Sequence, residues 1–159
     1  MAVDLVAKIG SFKGESATDG HTGEIDVLSF NFGGTQSATM HTASGGGGGK
    51  ANVHDLTITK WVDLASPDLA LACFNGTHIP EATLTARKVG GKAPVEYLKI
   101  TMTDCIISSI STGGSGDQDR FTENVSINFG KVKVDYDQQL AAGGKGAHAS
   151  MEFNVAAGK

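Results

Sequence analysis

Apolar and polar residues alternate along most of the chain, the period-two signature of strands with one face buried. Val3, Leu5, Ala7 and Ile9 share one face of a first segment, Leu28, Phe30 and Phe32 of a second, and Leu56, Ile58 and Val62 of a third. Leu84 and Ala86 mark a short segment, Leu98, Ile100 and Met102 a long one, and Met151, Phe153 and Val155 the last. Most of the chain is therefore expected to be strand.

Between Asn124 and Tyr136 the phase changes. Val125, Ile127 and Phe129 fall on odd positions, Val132, Val134 and Tyr136 on even ones, and Gly130 stands at the switch. A glycine at such a flip predicts a β-bulge that bends one long strand while its apolar face stays inward. Long bent strands favour a barrel or a closed sandwich. One segment departs from the alternation. Ser66-Pro67-Asp68 reads as a helix start, with Ser66 as cap, Pro67 at the first helical position and Asp68 against the positive end of the dipole. Gly76 supplies the left-handed stop, which predicts a short α-helix over about 66–75. Leu69, Ala72, Cys73 and Phe74 form its expected apolar stripe, placed to plug one open face of the sheet system.

Composition narrows the function classes. The 159 residues are expected to form one domain, 1–159, with a core that needs no covalent staples. Net charge is −4 and the basic residues never cluster beyond the pair Arg87-Lys88, which argues against a nucleic-acid groove. Cys73 and Cys105 lack paired spacing and read as reduced core thiols. The N-terminal segment has no signal-peptide pattern, and no window offers the ~20 apolar residues of a membrane span. The expectation is a protein folded in the cytoplasm, without membrane insertion, which would leave the cell only through a machine that takes folded cargo.

The candidate chemistry fails position by position. Gly45 to Gly49 followed by Lys50 suggests a phosphate-binding loop, but Ser44 stands where the first glycine belongs, Ala51 replaces the hydroxyl residue, and a strand pattern follows. Gly113-Gly114-Ser115-Gly116-Asp117 falls one residue short of a nucleophile elbow, because Asp117 replaces the last glycine. His21, His41, His54, His78 and His148 never adopt the spacings that put two imidazoles on one metal, and they read as surface or turn residues. Asp117, Asp119 and Glu123 match a calcium loop only loosely. The sequence therefore predicts no enzyme, no cofactor and no metal. A β-sandwich that binds a small ligand is the alternative, yet one Trp and two Tyr are few aromatics for such a site.

What remains is glycine, 22 residues in all and five of them consecutive. Ordering a residue costs ~1–2 kcal/mol of backbone entropy, and glycine loses the most. The run Gly45–Gly49 reads either as a tolerated hairpin tip or as part of an arm over about 36–51 that orders against a neighbouring subunit.

Short motifs in order then carry a resemblance. Met1-Ala2-Val3-Asp4, Lys13-Gly14-Glu15-Ser16, Glu24-Ile25-Asp26-Val27, Gln36-Ser37 and Met40-His41 precede the glycine run. Thr59-Lys60, Ser66-Pro67, Ala72-Cys73, Leu84-Thr85, Arg87-Lys88, Glu96-Tyr97-Leu98 and Ser108-Ser109 follow it, then Glu123-Asn124-Val125, Asn128-Phe129 and Val134-Asp135-Tyr136. Over roughly residues 1 to 136 the chain closely resembles the haemolysin-coregulated protein (Hcp) family of bacterial type VI secretion. The segment 138–159, rich in Ala and Gly, matches less well.

The resemblance implies a mainly β fold, a small two-sheet β-barrel with one short helix, similar to phage tail-tube subunits. It implies a homo-hexameric ring that stacks into tubes, a VgrG-like spike, a contractile sheath and a baseplate as partners, effector proteins carried in the lumen, and secretion without a signal peptide. The loop Ser44, Gly45, Gly46, Gly47, Gly48, Gly49 and Lys50 corresponds to the family's ring-stacking loop. A lumen that releases cargo should carry short polar side chains, which makes Asn31, Ser111 and Ser115 the expected lumen-facing residues.

Overall fold

The computed structural model describes residues 3–38, 40, 48–88, 94–141 and 143–159. In chain order the elements are β1 (Val3–Ile9), β2 (Ile25–Asn31), β3 (Gly34–Ala38), β4 (Gly48–Val53), β5 (Leu56–Trp61), α1 (Ser66–Asn75), β6 (Ile79–Lys88), β7 (Val95–Gly113), β8 (Thr122–Gln139) and β9 (Lys145–Asn154). The mainly β fold with one short helix is the one expected.

Six strands close a barrel in the order β5-β2-β1-β6-β7-β8, with β5 pairing back onto β8 and every pairing antiparallel. The two longest strands make this possible, because β8 gives Thr122–Ile127 to β5 and Lys131–Gln139 to β9 along the same side while β7 occupies its other side. β3 and β4 form a separate two-stranded hairpin between β2 and β5. The interior is filled by Ala7, Ile9, Ile25, Leu56, Ile58, Leu84, Ile100, Met102, Cys105, Ile107, Val125, Ile127 and Val132, with Leu69 and Ala72 of α1 joining the same cluster.

Several expected faces are shifted. A register irregularity between Val27 and Ser29 moves the inward face of β2, so Ile25 and Val27 are buried while Leu28 is exposed. In β5 the buried series is Leu56, Ile58 and Lys60, and Val62 lies beyond the strand, partly exposed. The phase does flip near Gly130, but without a bulge: Asp104 on β7 flips at the same level, in the left-handed region at φ 55°, so the pairing runs on in register from Thr103↔Lys131 to Cys105↔Phe129. Two matched changes of phase keep Met102, Cys105, Phe129 and Val132 all buried.

The helix spans the expected residues but departs from expectation in its cap and in its apolar stripe. Ser66 is its first residue and not its cap; Ala65 holds the cap position and makes no side-chain capping bond, while Asp63 Oδ1 accepts from the Ala65 N–H at 3.0 Å. The Ser66 hydroxyl is buried and engaged with the barrel instead. Gly76 ends the helix in the left-handed conformation, as expected. Leu69 and Ala72 are buried and Cys73 is half-buried, but Phe74 is 78% exposed. Both cysteines are free thiols.

Candidate assembly surface

The side chains that alternate with the core ones point outward, and on β2, β5, β8 and β7 they are largely polar, with Leu28 and Ile106 as exposed apolar exceptions. Asn31 stands opposite Thr57, Thr57 opposite Ser126, Thr59 opposite Asn124 and Asn124 opposite Ser111. Cross-strand partners on one face lie close enough to bond. Thr57 Oγ1 and Ser126 Oγ are 3.0 Å apart, Thr59 donates to Asn124 Oδ1 at 2.7 Å, and Asn128 donates to Asp55 Oδ1 at 2.8 Å. The structure thus places Asn31 and Ser111 on one exposed surface of short side chains, some of which bond to one another. Ser115 lies off this sheet, exposed in the loop after β7, where its hydroxyl donates to Asp117 Oδ1 at 2.9 Å and Gln118 Oε1 accepts from its N–H.

The glycine-rich segment enters the structure through its two flanks. Gln36 pairs with Ala51 and Ala38 with Gly48, so the arm over 36–51 is rooted in a β-hairpin. Gly48, Gly49 and Lys50 belong to β4, and Lys50 donates its N–H to Ser37 Oγ at 3.0 Å. Ser44, Gly45, Gly46 and Gly47 lie outside the described residues, as does His41. At Gly49 a Cβ would collide with the Ser37 carbonyl oxygen, so the close strand approach requires glycine there. A groove of 540 Å3 separates the hairpin from the β8–β9 surface, lined by Phe32, Val53, Val132, Met151 and Phe153.

Two further features were not visible in the sequence. First, among the described residues β9 pairs only with β8, and β3 and β4 pair only with each other, which leaves three strand edges with open hydrogen-bonding positions. Open edges are sites for strand addition by another chain. Second, large apolar side chains stand in solvent beside these edges and on the helix: Met151 and Tyr136 on the β8–β9 surface, and Leu64, Leu71 and Phe74 at α1. No group of three or more His, Cys, Asp or Glu among the described residues is arranged to hold a metal ion. No described helix is long and apolar enough to cross a membrane.

Comparison with known proteins places this barrel with its open edges and its arm. The family model described as type VI secretion system effector, Hcp, matches residues 6–136. The chain belongs to the Hcp family. This Hcp chain is 54% identical over 145 residues to protein hcp1 of Pseudomonas aeruginosa, a match covering 91% of this chain and 90% of that one. Its fold superposes on a solved type six secretion system protein with a TM-score of 0.92 at 29% identity, over 99% of both chains. Hcp1 from Salmonella typhimurium aligns with a TM-score of 0.80 at 38% identity, over 100% of this chain and 99% of that one. A type VI secretion system effector from Yersinia pestis gives 0.77 at 32% identity, over 96% and 100%. The Hcp match extends through β9, so the segment that resembled the family least in sequence still carries its fold.

Proposed function

We propose that this Hcp chain is a ring-forming, non-enzymatic subunit of the inner tube of a bacterial type VI secretion system, one domain over 1–159. In this reading it is made and folded in the cytoplasm and secreted without a signal peptide. The observation that carries the reading is the set of open edges on β9 and on the β3–β4 hairpin in a chain of this family. Six copies joined edge to edge would close a ring, and each joint would satisfy backbone groups that are otherwise left to water. The exposed Met151 and Tyr136 beside the β9 edge would add apolar burial at such a joint.

The lumen wall in this reading is the polar face carrying Asn31 and Ser111, with Ser115 at its margin. Some of its hydroxyls and amides are bonded to one another, as between Thr59 and Asn124. A wall of short polar side chains offers a passing protein few large apolar contacts and holds it weakly, which suits a conduit for effectors. The hairpin arm with Ser44 to Lys50 would contact the next ring, and the ends of the tube would meet the spike and the baseplate inside the sheath. The test is direct. Purified protein should elute as a hexamer and show sixfold rings in negative-stain microscopy; a monomer at high concentration would overturn the proposal.

A further inference from the structure

The connection between β1 and β2, residues 10–24, does not simply turn the corner. The strand order is β2-β1-β6-β7, and the connection reaches across β1 and β6 to touch β7. It is braced internally, with Gly14 N–H donating to Gly23 O at 2.8 Å, Ser16 N–H to Glu24 O at 2.9 Å and Gly23 N–H to Ser16 O at 2.9 Å. A Cβ at Gly14 would stand 2.5 Å from the Glu24 carbonyl oxygen, so the two limbs of this strap press together. Beside it lies an open polar hollow of 550 Å3 lined by Asp4, Thr18, Asp19, Asp26 and Arg87, among others.

The strap is fastened at its far side by two contacts. Arg87 Nη1 donates to Asp19 O at 3.0 Å. His21, with only 13% of its side chain exposed, places Nδ1 2.7 Å from Glu24 Oε2 and Nε2 2.5 Å from Glu96 Oε1. Ionised carboxylates only accept, and a neutral imidazole carries one N–H. Both contacts are hydrogen bonds only when both ring nitrogens are protonated. In the neutral ring one lone pair would face a carboxylate oxygen, and that contact would turn repulsive.

We propose that His21 is a proton-operated latch: as the imidazolium it ties the 10–24 strap to Glu96 of β7, and on losing its proton it releases Glu96 and lets the strap lift. The surrounding charges agree with this. Asp19 and Glu24 lie on the strap, Asp4 on β1, Asp26 on β2, Arg87 on β6 and Glu96 on β7. Arg87 is drawn to Asp4 at 3.5 Å and stands opposite Glu96 in the β6–β7 register, so Glu96 has an alternative partner once His21 is neutral. Beyond Glu96 a neighbouring hollow holds Lys99, Asp135, Asp137, Lys145 and His148. Burial pushes the His21 imidazole down, but the hydrogen bonds to Glu96 and Glu24 outweigh it and raise the group above its ordinary value of 6.5. The latch is therefore fully closed below that ordinary value and is lost as pH rises through the raised one.

Hydrogen–deuterium exchange of the full chain, corrected for the intrinsic pH dependence of amide exchange, reads the strap directly. Peptides within 11–24 should open about fivefold more at pH 9 than at pH 6, the scale of a partly exposed ion pair. Glu96→Gln, at a half-exposed position that should not disturb folding, should exchange fast at both pH values, as should His21→Gln. Equal protection of the wild-type strap at both pH values would overturn the latch. So would a Glu96→Gln strap that keeps the wild-type pH dependence, or a change spread equally over β5 and β8 peptides, since a latch acts on the strap alone.

Discussion

Lys60 of β5 and Glu123 of β8 face each other as direct partners in the ladder, and both side chains turn into the barrel, where Nζ lies 2.7 Å from Oε1 at 0% and 1% exposure. The ammonium uses all three of its donors, because Asp63 Oδ1 at 3.0 Å and Ser66 Oγ at 3.1 Å take the other two. Ser66 donates its own proton to Glu123, and Thr112 donates to the second carboxylate oxygen at 3.2 Å. One network thus ties β5, β7, β8 and the start of α1 together at the barrel end.

Breaking this pair by removing one partner leaves a buried charge uncompensated, which costs about 3–5 kcal/mol. Lys60→Met, which strips the cation from both Glu123 and Asp63, should lower stability by that order in denaturant titrations at fixed protein concentration, and Glu123→Gln, which leaves Lys60 paired with Asp63, should cost less. Replacing both with apolar residues of similar volume should cost much less than the sum of the two single changes. Additive losses would mean that the pair contributes through two separate sets of contacts.

This network also shows where the sequence was legible and where it was not. Alternation located β1, β5, β7 and β8 because each has one buried face. It missed β3 and β4 because both faces of that hairpin lie largely in solvent, so no period-two pattern is imposed on Gly34–Ala38 or Gly48–Val53. It misplaced Leu28 because a local register shift exchanges the faces of β2. Lys60 was passed over because a charged residue in an apolar series reads as a surface position until its partner, 63 residues away, is known. His21 was passed over for the same reason, since Glu96 is 75 residues distant. The Asn31–Ser111 face carries no signal that separates a lumen wall from ordinary polar surface.

Asp104 sits at φ 55° opposite Gly130, and its side-chain partner among the described residues is the exposed His78 at 3.1 Å. A left-handed backbone costs a β-branched residue roughly 1–2 kcal/mol and glycine nothing. Asp104→Gly should therefore leave stability unchanged or slightly raised, whereas Asp104→Val should lower it by about 1–2 kcal/mol in thermal or chemical denaturation.

Burial pushes the Cys105 thiol up to about 11, so at neutral pH it is fully protonated and enclosed by the core. In a Cys73→Ser variant, which leaves Cys105 as the single thiol, a disulfide reagent at pH 8 should give no reaction until denaturant unfolds the barrel. Reaction of the native protein would mean that the core near β7 opens far more readily than its packing implies.

The paired flanks of the arm allow its tip to be tested apart from the rest of the molecule. Gln36↔Ala51 and Ala38↔Gly48 fix the hairpin root, and these pairs are untouched if Gly45, Gly46 and Gly47 are deleted. Loop-closure entropy changes only slowly with length, so the deletion should leave stability nearly unchanged, within about 0.5 kcal/mol. If the arm joins rings, the shortened protein should still form hexamers of normal mass by light scattering, while stacked rings disappear from micrographs of concentrated samples. Loss of hexamers and stacks together would place the arm within a ring instead of between rings, and unaltered stacking would reduce the glycine run to a tolerated hairpin tip.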